Sequence, residues 1–220
     1  MPGEFLDLLG PADREALDAR AGRRRFRRGA RLIGEGRRGD EVFVLLDGRV
    51  KISGTTRDGR EVILRFAGPG ELLGELAVLD DEPRASSVEA IDPVEALALS
   101  AGDFRALLER NPGFAIALLR TLARRFRGSD AARIEFAASQ TLGRVAARLL
   151  ELVERYGEPA GDGAVAIALP LSQEELAGWT ASSREAVAKA LATLRDLDLV
   201  VTERRRITVL DPDALRLHLG

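Results

Sequence analysis

Glycine recurs through the first half of the chain at intervals too short for a long helix. It occupies positions 29, 34, 36, 39, 48, 54, 59, 68, 70 and 74. The segments between these glycines are short and rich in apolar, β-branched residues: 42–46, 49–52 and 61–64, with further runs at 88–90 and 96–99. Asp47-Gly48 and Asp58-Gly59 supply turns between them. Short strands at regular spacing, interrupted by glycine turns, predict a β-barrel or β-sandwich over about residues 23–99.

A long helix is predicted from Asn111-Pro112-Gly113, because no proline or strong breaker follows this start until Gly128. One heptad seam runs in steps of four and three, with Arg125 in the same register: Leu118, Leu122, Ser129, Ala132 and Phe136. A second apolar set lies on a different face: Phe114, Leu119 and Phe126. We expect one face to cover the barrel and the other to meet a second copy of the chain. Packing of the seam on its own domain remains open at this point.

The C-terminal part carries two possible capping boxes ten residues apart, Ser172–Glu175 and Ser182–Glu185. Each combines a serine at the N-cap with a glutamate three residues later, which predicts two short helices joined by a tight turn. Polar side chains crowd the start of the second helix, and a hairpin with three arginines follows: Ser183, Arg184, Glu185 and Lys189, then Arg204, Arg205 and Arg206. This pattern predicts a winged helix-turn-helix, whereas the alternative is a small packing unit with a solvated charged face.

Glycine, an acid and an arginine lie close together in the segment 74–88. Gly74-Glu75 permits a close backbone approach beside a carboxylate, and Arg84 follows a short turn. A carboxylate accepts hydrogen bonds from ribose hydroxyls, and an arginine forks onto a phosphate. The residues alone leave two interpretations open: a sugar-phosphate pocket, or a surface turn with a Glu75–Arg84 ion pair.

The run LLGELAVLDDEPRASSVEA resembles the phosphate-binding cassette of cyclic-nucleotide-binding domains, and GDEVFVLLDGRVKI resembles their strand–turn–strand signature. The C-terminal half is similar to one branch of that group, the cyclic AMP receptor/FNR superfamily of transcription regulators. The resemblance covers nearly the whole chain. It implies an α+β fold with a cyclic-nucleotide-binding β-barrel, or jelly roll, at 1–112, a dimerisation helix at 113–138 and a winged helix-turn-helix DNA-binding domain at 139–220.

The resemblance also assigns roles in a nucleotide pocket. Glu75 would bind the ribose 2′-hydroxyl and Arg84 the cyclic phosphate, Arg125 would brace Glu75, and further contacts come from Gly74, Leu76, Ala85, Ser129 and Asp130. Ser129 and Asp130 correspond to the family's two hydroxyls on the adenine amino group. Three residues depart from the bacterial pattern: Ala85 replaces Ser or Thr, Asp130 replaces a hydroxyl, and Arg65 replaces a small polar residue. We expect Arg65 either to crowd the base or to add a phosphate contact.

For the DNA-binding end, the resemblance implies contacts from Ser172, Ser182, Ser183, Arg184, Glu185, Lys189 and the three wing arginines. The implied function is a homodimeric transcription regulator gated by cyclic AMP, which binds pseudo-palindromic double-stranded DNA and contacts RNA polymerase. Two alternatives are kept. One is a regulator of the same fold with another effector or none, and the other is a nucleotide-binding module that controls a partner protein.

Composition limits the classes of protein and the kinds of site that the chain can form. The net charge is −2, so DNA contact requires a local basic face rather than a global positive field. There is no cysteine and the one histidine is His218, which argues against iron–sulfur, haem and structural metal sites. No metal cluster, nucleophile–base pair or Walker-type loop stands out, so we predict that the protein is not an enzyme. No apolar run reaches the length that spans a bilayer, and we expect a cytoplasmic protein without membrane association.

Overall fold

The computed structural model describes residues 4–219 apart from 58, 60, 139, 170, 204 and 205, and it describes only the backbone of residues 131–138. The chain forms two compact units, Met1–Gly128 and Ser129–Gly220. The division between them falls within the longest helix. Asp58, assigned above to a turn, lies outside the described residues.

Antiparallel strands and short helices build the first unit. The elements are a 3-10 helix at Phe5–Leu8, α1 (Pro11–Asp18), β1 (Gly22–Phe26), β2 (Arg31–Ile33), β3 (Glu41–Asp47), β4 (Val50–Thr55), β5 (Glu61–Ala67), β6 (Leu72–Leu73), α2 (Leu76–Leu79), β7 (Ser87–Ala90), β8 (Val94–Ser100), α3 (Ala101–Arg110) and α4 (Pro112–Ala138). Two four-stranded sheets have the strand orders β1-β8-β3-β6 and β2-β7-β4-β5. The predicted sheet-rich N-terminal fold is confirmed.

Alternation along β3 divides the core of this unit into two clusters. Phe43 and Leu45 face the cluster shared by the two sheets. Val42 and Val44 point the other way, into a cluster formed with the surrounding helices. Successive side chains of a strand point to opposite faces, so one apolar strand serves both clusters. Within the helical cluster the Phe5 and Phe114 rings meet edge to face, with centroids 5.2 Å apart.

The face of α4 that packs on the first unit differs from one of our expectations. Leu118 is 3% exposed in the helical core cluster. Leu122 packs against the same cluster, so the first two residues of the heptad seam cover their own domain, whereas Ser129 further along is exposed. Phe114 is buried with them, and it does not share a face with the exposed Leu119 and Phe126. Both helix faces are apolar, and spacing alone could not determine which face the barrel covers. The side chains of Ala132 and Phe136 lie outside the described residues.

The second unit combines helices with one small sheet. Its elements are α5 (Thr141–Tyr156), β9 (Gly157–Pro159), β10 (Val165–Ile167), α6 (Gln173–Trp179), α7 (Arg184–Asp196), β11 (Val200–Glu203), β12 (Arg206–Val209) and α8 (Pro212–Arg216). The sheet order is β11-β12-β10-β9, and β11 and β12 form the predicted hairpin. The core joins α5 to the helix pair through buried apolar side chains: Val145, Leu149, Leu176, Val187, Leu191 and Leu194. This is a winged helix-turn-helix.

The turn between α6 and α7 contains a non-glycine residue in the left-handed region. Ala181 has φ +44°. A Cβ atom in this region approaches the following carbonyl oxygen, which costs roughly 1–2 kcal/mol for a residue other than glycine. Ala181 is therefore a strained residue in this turn.

Among the described residues, no helix combines the length with the apolar composition that crossing a bilayer requires.

We predict that Ala181→Gly stabilises the protein by about 0.5–1 kcal/mol, because removal of the Cβ relieves the strain and outweighs the greater freedom of glycine in the unfolded chain. Urea unfolding at 25 °C measures the change. The matched control is Ala192→Gly within α7, where ordinary helical backbone makes the same substitution destabilising by about 0.5–1 kcal/mol. A loss of stability in Ala181→Gly similar to that of the control would contradict the assignment of strain.

Candidate functional site

Gly74 and Glu75 form the tight connection between β6 and α2. Gly74 has φ +83°, and a Cβ atom at this position would lie 2.5 Å from Arg84 Nη1 and 2.9 Å from Ile33 Cδ1. Glycine is therefore required twice, by the backbone conformation and by the close approach of Arg84. Glu75 follows with 4% exposure, immediately before α2.

Arg84 lies across this connection and is almost entirely buried. Its Nη1 donates to the Gly74 carbonyl at 2.5 Å and its Nη2 donates to the Glu41 carbonyl. Its ion-pair partner is Asp40 at 3.8 Å, whose own side chain is 85% exposed. Burial lowers the pKa of the Arg84 guanidinium from its ordinary value, and the charges of Asp40 and Glu75 oppose that shift. The site thus holds a buried cation whose one ion pair among the described side chains is with a solvated carboxylate, while the buried Glu75 carboxylate acts on it without forming an ion pair.

Arg125 of α4 reaches Glu75 directly. Its Nη1 donates to Glu75 Oε1 at 2.7 Å, and its Nη2 donates to the Leu72 carbonyl at 2.6 Å. Burial is the main cause of a lowered pKa for the Arg125 guanidinium. Glu75 and Arg84, although both are described, form no ion pair with each other, so the simple surface-turn interpretation does not fit.

The other residues that the resemblance assigns to the pocket lie outside the contacts that join Gly74, Glu75, Arg84 and Arg125. Leu76 opens α2 and is 51% exposed, and Ala85 is exposed directly after Arg84. Ser129 and Asp130 lie on α4 just past the boundary between the units, and their relation to the pocket stays a prediction. Arg65 donates to the Glu71 carboxylate and to the Phe66 carbonyl at 3.2 Å. Its guanidinium is held within the protein by these two acceptors.

The first predicted capping box in the second unit is confirmed. The Glu175 amide donates to Ser172 Oγ at 3.1 Å, and the Ser172 amide donates back to Glu175 Oε2 at 2.9 Å. These reciprocal bonds satisfy amides that the first turn of α6 leaves without helical partners.

The second predicted capping box is wrong by one residue. Ser183 is the N-cap of α7, because the Ala186 amide donates to its hydroxyl at 3.1 Å. Ser182 instead donates to the Thr180 carbonyl at 3.1 Å and accepts from Arg144 Nη2 at 3.2 Å. Because the Ser182 hydroxyl is hydrogen-bonded to Thr180 and Arg144, Ser183 is the residue that caps the helix.

Glu185 therefore lies at the second position of α7, and its own amide and the Ser183 hydroxyl lower the pKa of its carboxyl. It lies in the exposed first turn together with Arg184, with Lys189 one turn further on. Val187, Leu191 and Leu194 on the opposite side of α7 are buried. The charged end of this helix thus faces solvent while its apolar side holds it to the unit.

The wing presents Arg206, exposed at the first residue of β12. Arg204 and Arg205 lie outside the described residues. The sequence did not indicate the role of one further arginine. Arg144 of α5 donates through Nε to the Thr180 carbonyl at 3.1 Å and through Nη2 to Ser182. It fixes the helix-turn-helix turn from 36 residues away, and no local pattern signals such a contact.

In the part of the chain that the structure describes, no group of three or more His, Cys, Asp or Glu side chains is arranged to hold a metal ion. The polar groups that are brought together suit other chemistry: a buried guanidinium for an anion, a braced carboxylate for hydroxyls, and an exposed charged helix end for base edges.

Family models match both halves of the chain: a cyclic nucleotide-binding domain over residues 23–111 and a Crp-like helix-turn-helix domain over residues 143–217. The CRP-like cAMP-activated global transcriptional regulator of Mycobacterium tuberculosis is 35% identical over 190 residues, which are 86% of this chain and 84% of that protein.

Two solved structures are also similar. A CRP-family transcriptional regulator from Thermus thermophilus has a TM-score of 0.76 and 29% identity, covering 90% of this chain and 96% of that one. The c-di-GMP-responsive global regulator CLP of Xanthomonas campestris has a TM-score of 0.80, covering 91% of this chain and 99% of that one, but at 20% identity it shares the fold alone.

These matches extend over both units, and the family consists of transcription regulators rather than enzymes. The chain belongs to the CRP/FNR family of transcriptional regulators, with a cyclic-nucleotide-binding domain and a Crp-like helix-turn-helix DNA-binding domain.

Proposed function

We propose that this regulator is a homodimer whose affinity for DNA is set by cyclic AMP bound at Glu75 and Arg84. The observation that carries the proposal is the buried Arg84, whose only ion-pair partner among the described side chains is the solvated Asp40. A buried cation favours a bound anion when its nearest protein counter-charge is weak. A cyclic phosphate supplies one negative charge that matches one guanidinium.

The neighbouring groups fit the sugar of the same ligand. Glu75 is held by Arg125 at 2.7 Å and keeps a second carboxylate oxygen for the ribose 2′-hydroxyl. Amides of Leu76 and Ala85 would support the phosphate at the open start of α2. Ala85 lacks the hydroxyl that helps recognise guanine in related pockets, which favours cyclic AMP over cyclic GMP. Ser129 and Asp130 would accept from the adenine amino group.

The proposed homodimer uses the solvent face of α4, and residues 113–138 form the proposed dimerisation helix. Ile116, Leu119 and Phe126 are 49%, 65% and 66% exposed and recur at helical spacing. A continuous apolar stripe on one helix is covered most simply by the same stripe of a second copy. Arg125 lies on the same helix, so ligand binding at Glu75 would alter the element that joins the two copies.

The proposed DNA contacts come from the exposed end of α7 and from the wing. Arg184, Glu185 and Lys189 would reach base edges in the major groove. The phosphate backbone of the DNA would be contacted by Ser172, Ser182, Ser183 and the wing arginines Arg204, Arg205 and Arg206. A twofold dimer places its recognition helices about one DNA turn apart, roughly 34 Å, and predicts a pseudo-palindromic site. Contact with RNA polymerase is part of the same proposal. Gating requires that the ligand favour the DNA-binding arrangement over the other.

We predict saturable binding of cyclic AMP by titration calorimetry and a loss of at least about 100-fold in Arg84→Ala, because two charge-assisted hydrogen bonds disappear. The control is Arg23→Ala, which removes a cation on β1, at the opposite edge of the sheet from β6, that has 71% side-chain exposure and pairs with Glu95. Circular dichroism checks that both variants fold. Absence of heat with cyclic AMP at millimolar concentration would remove nucleotide gating and leave a DNA-binding regulator with another effector or none.

For DNA binding, a site selected from random duplexes serves as the probe. We predict that Arg184→Ala weakens binding by about 1–3 kcal/mol and relaxes base preference, whereas Arg206→Ala weakens all sequences alike and lowers the salt slope by about one. Fluorescence anisotropy across a salt series measures both effects. Arg155→Ala on α5 is the control and should leave affinity and slope unchanged. An unchanged sequence preference in Arg184→Ala would contradict base contact by α7.

A further inference from the structure

Four side chains of alternating charge lie in a row behind the pocket: Arg65, Glu71, Arg125 and Glu75, here called the charge row. The side chains of Glu71 and Glu75, taken without their backbone, are each 5% exposed, and those of Arg65 and Arg125 are each 26% exposed. Their formal charges cancel. The members belong to β5, the segment before β6, α4 and the turn before α2, so contacts of different elements converge on one buried cluster.

Glu71 lies between the two arginines of the charge row. Its Oε2 forms an ion pair with Arg65 and lies 3.5 Å from Arg125 Nη2. Its Oε1 accepts from the Gly68 amide at 3.2 Å, which fixes the carboxylate to the backbone. The contact with Arg65 is therefore direct, whereas that with Arg125 is longer than a hydrogen bond.

Two buried carboxylates, those of Glu71 and Glu75, lie close to the guanidinium of Arg125. It now donates to Glu75 Oε1 at 2.7 Å, with Glu71 Oε2 at 3.5 Å. A carboxylate removed from water requires nearby cations and donors. Loss of Arg65 would take away a cation in direct contact with Glu71, and a small shift of the Arg125 guanidinium, on the order of 1 Å, would bring it within hydrogen-bond distance of Glu71 instead. Such a movement would weaken its contact with Glu75.

We infer that Arg65 is a positioning residue of the nucleotide pocket: by pairing with Glu71, it leaves Arg125 to hold Glu75 in place for the ribose hydroxyl. The role argued for Arg65 runs through Glu71, because its Nη1 donates to the Glu71 carboxylate and to the Phe66 carbonyl. The inference rests on the proposed function only for the ribose contact. The contacts that link Arg65 to Glu75 through Glu71 and Arg125 lie within the protein itself.

The first experiment compares the affinities of the full-length protein for cyclic AMP and 2′-deoxy cyclic AMP. In Arg65→Ser we expect cyclic AMP to bind about tenfold more weakly, which corresponds to one charge-assisted hydrogen bond at the 2′-hydroxyl. The deoxy nucleotide lacks that hydroxyl, so its affinity should fall less than about twofold on the same argument. Equal weakening of the binding of both nucleotides, which a change in fold or in net charge would produce, would overturn the inference.

Three variants sharpen this comparison. Arg49→Ser removes a similarly exposed arginine from an ion pair on the same barrel, with Asp92 at 2.5 Å and side-chain exposures of 23% and 30%. It should leave the ratio of the two affinities unchanged. Arg65→Lys should restore much of the ratio because it keeps the cation. Arg65→Ser combined with Glu71→Gln should also restore it, because the competing carboxylate charge is gone.

The second experiment uses no nucleotide. Melting temperatures are measured for Arg65→Ser, Glu75→Gln and the double variant, with Arg49→Ser in place of Arg65→Ser as control. We expect non-additive shifts for the first pair and additive shifts for the control pair, because only the first pair is linked through Glu71 and Arg125. If the protein binds neither nucleotide, the proposed function fails, and this cycle still decides the inference. Additive shifts for Arg65 and Glu75 would overturn it.

Discussion

The buried ion pair between Arg125 and Glu75 is the interaction on which the arrangement of the pocket depends. It joins α4 to the turn that carries the candidate ligand contacts, with an Nη1–Oε1 distance of 2.7 Å. Removing two charges from water is costly unless their remaining donors and acceptors are satisfied. The Leu72 carbonyl and Glu71 meet that requirement on the arginine side. Since α4 also bears the exposed apolar stripe, one helix carries both the brace of the pocket and the proposed dimer surface.

The sequence predicted those features whose causes are local. Glycine spacing anticipated the short strands because a turn and its flanking strands are encoded within a few residues. The capping box at Ser172 and Glu175 was predictable for the same reason, and Gly74 pointed to a close backbone approach that the left-handed φ of +83° explains. The resemblance of the cassette to nucleotide-binding domains then connected Glu75, Arg84 and Arg125, which spacing alone could not have joined.

The features that sequence missed are set by distant partners. Ser182 and Ser183 are equally good caps by composition, and the choice is made by the turn carbonyl of Thr180 and by Arg144, 38 residues before Ser182. On α4 both faces are apolar, and the barrel selects the one that bears Leu118 because α3 and the N-terminal segment complete its core there. Arg65 was expected to crowd the base or to add a phosphate contact, and the sequence did not indicate its hydrogen bond to Glu71, six residues later.

Buried charges are an inefficient means of stabilising a barrel, since apolar side chains of similar volume commonly serve as well or better. The first unit nevertheless keeps Glu71, Glu75 and Arg84 almost wholly out of water. The two glutamates are compensated by arginines within the charge row, whereas Arg84 has two carbonyls and a solvated aspartate. The compensated charges of the two glutamates fix the geometry of the cluster. Arg84 has no close buried counter-charge among the described side chains, so a bound anion would stabilise this group most. A ligand whose phosphate meets Arg84 and whose ribose meets Glu75 would therefore gain from both parts of the cluster, and it would act directly on the helix that Glu75 contacts.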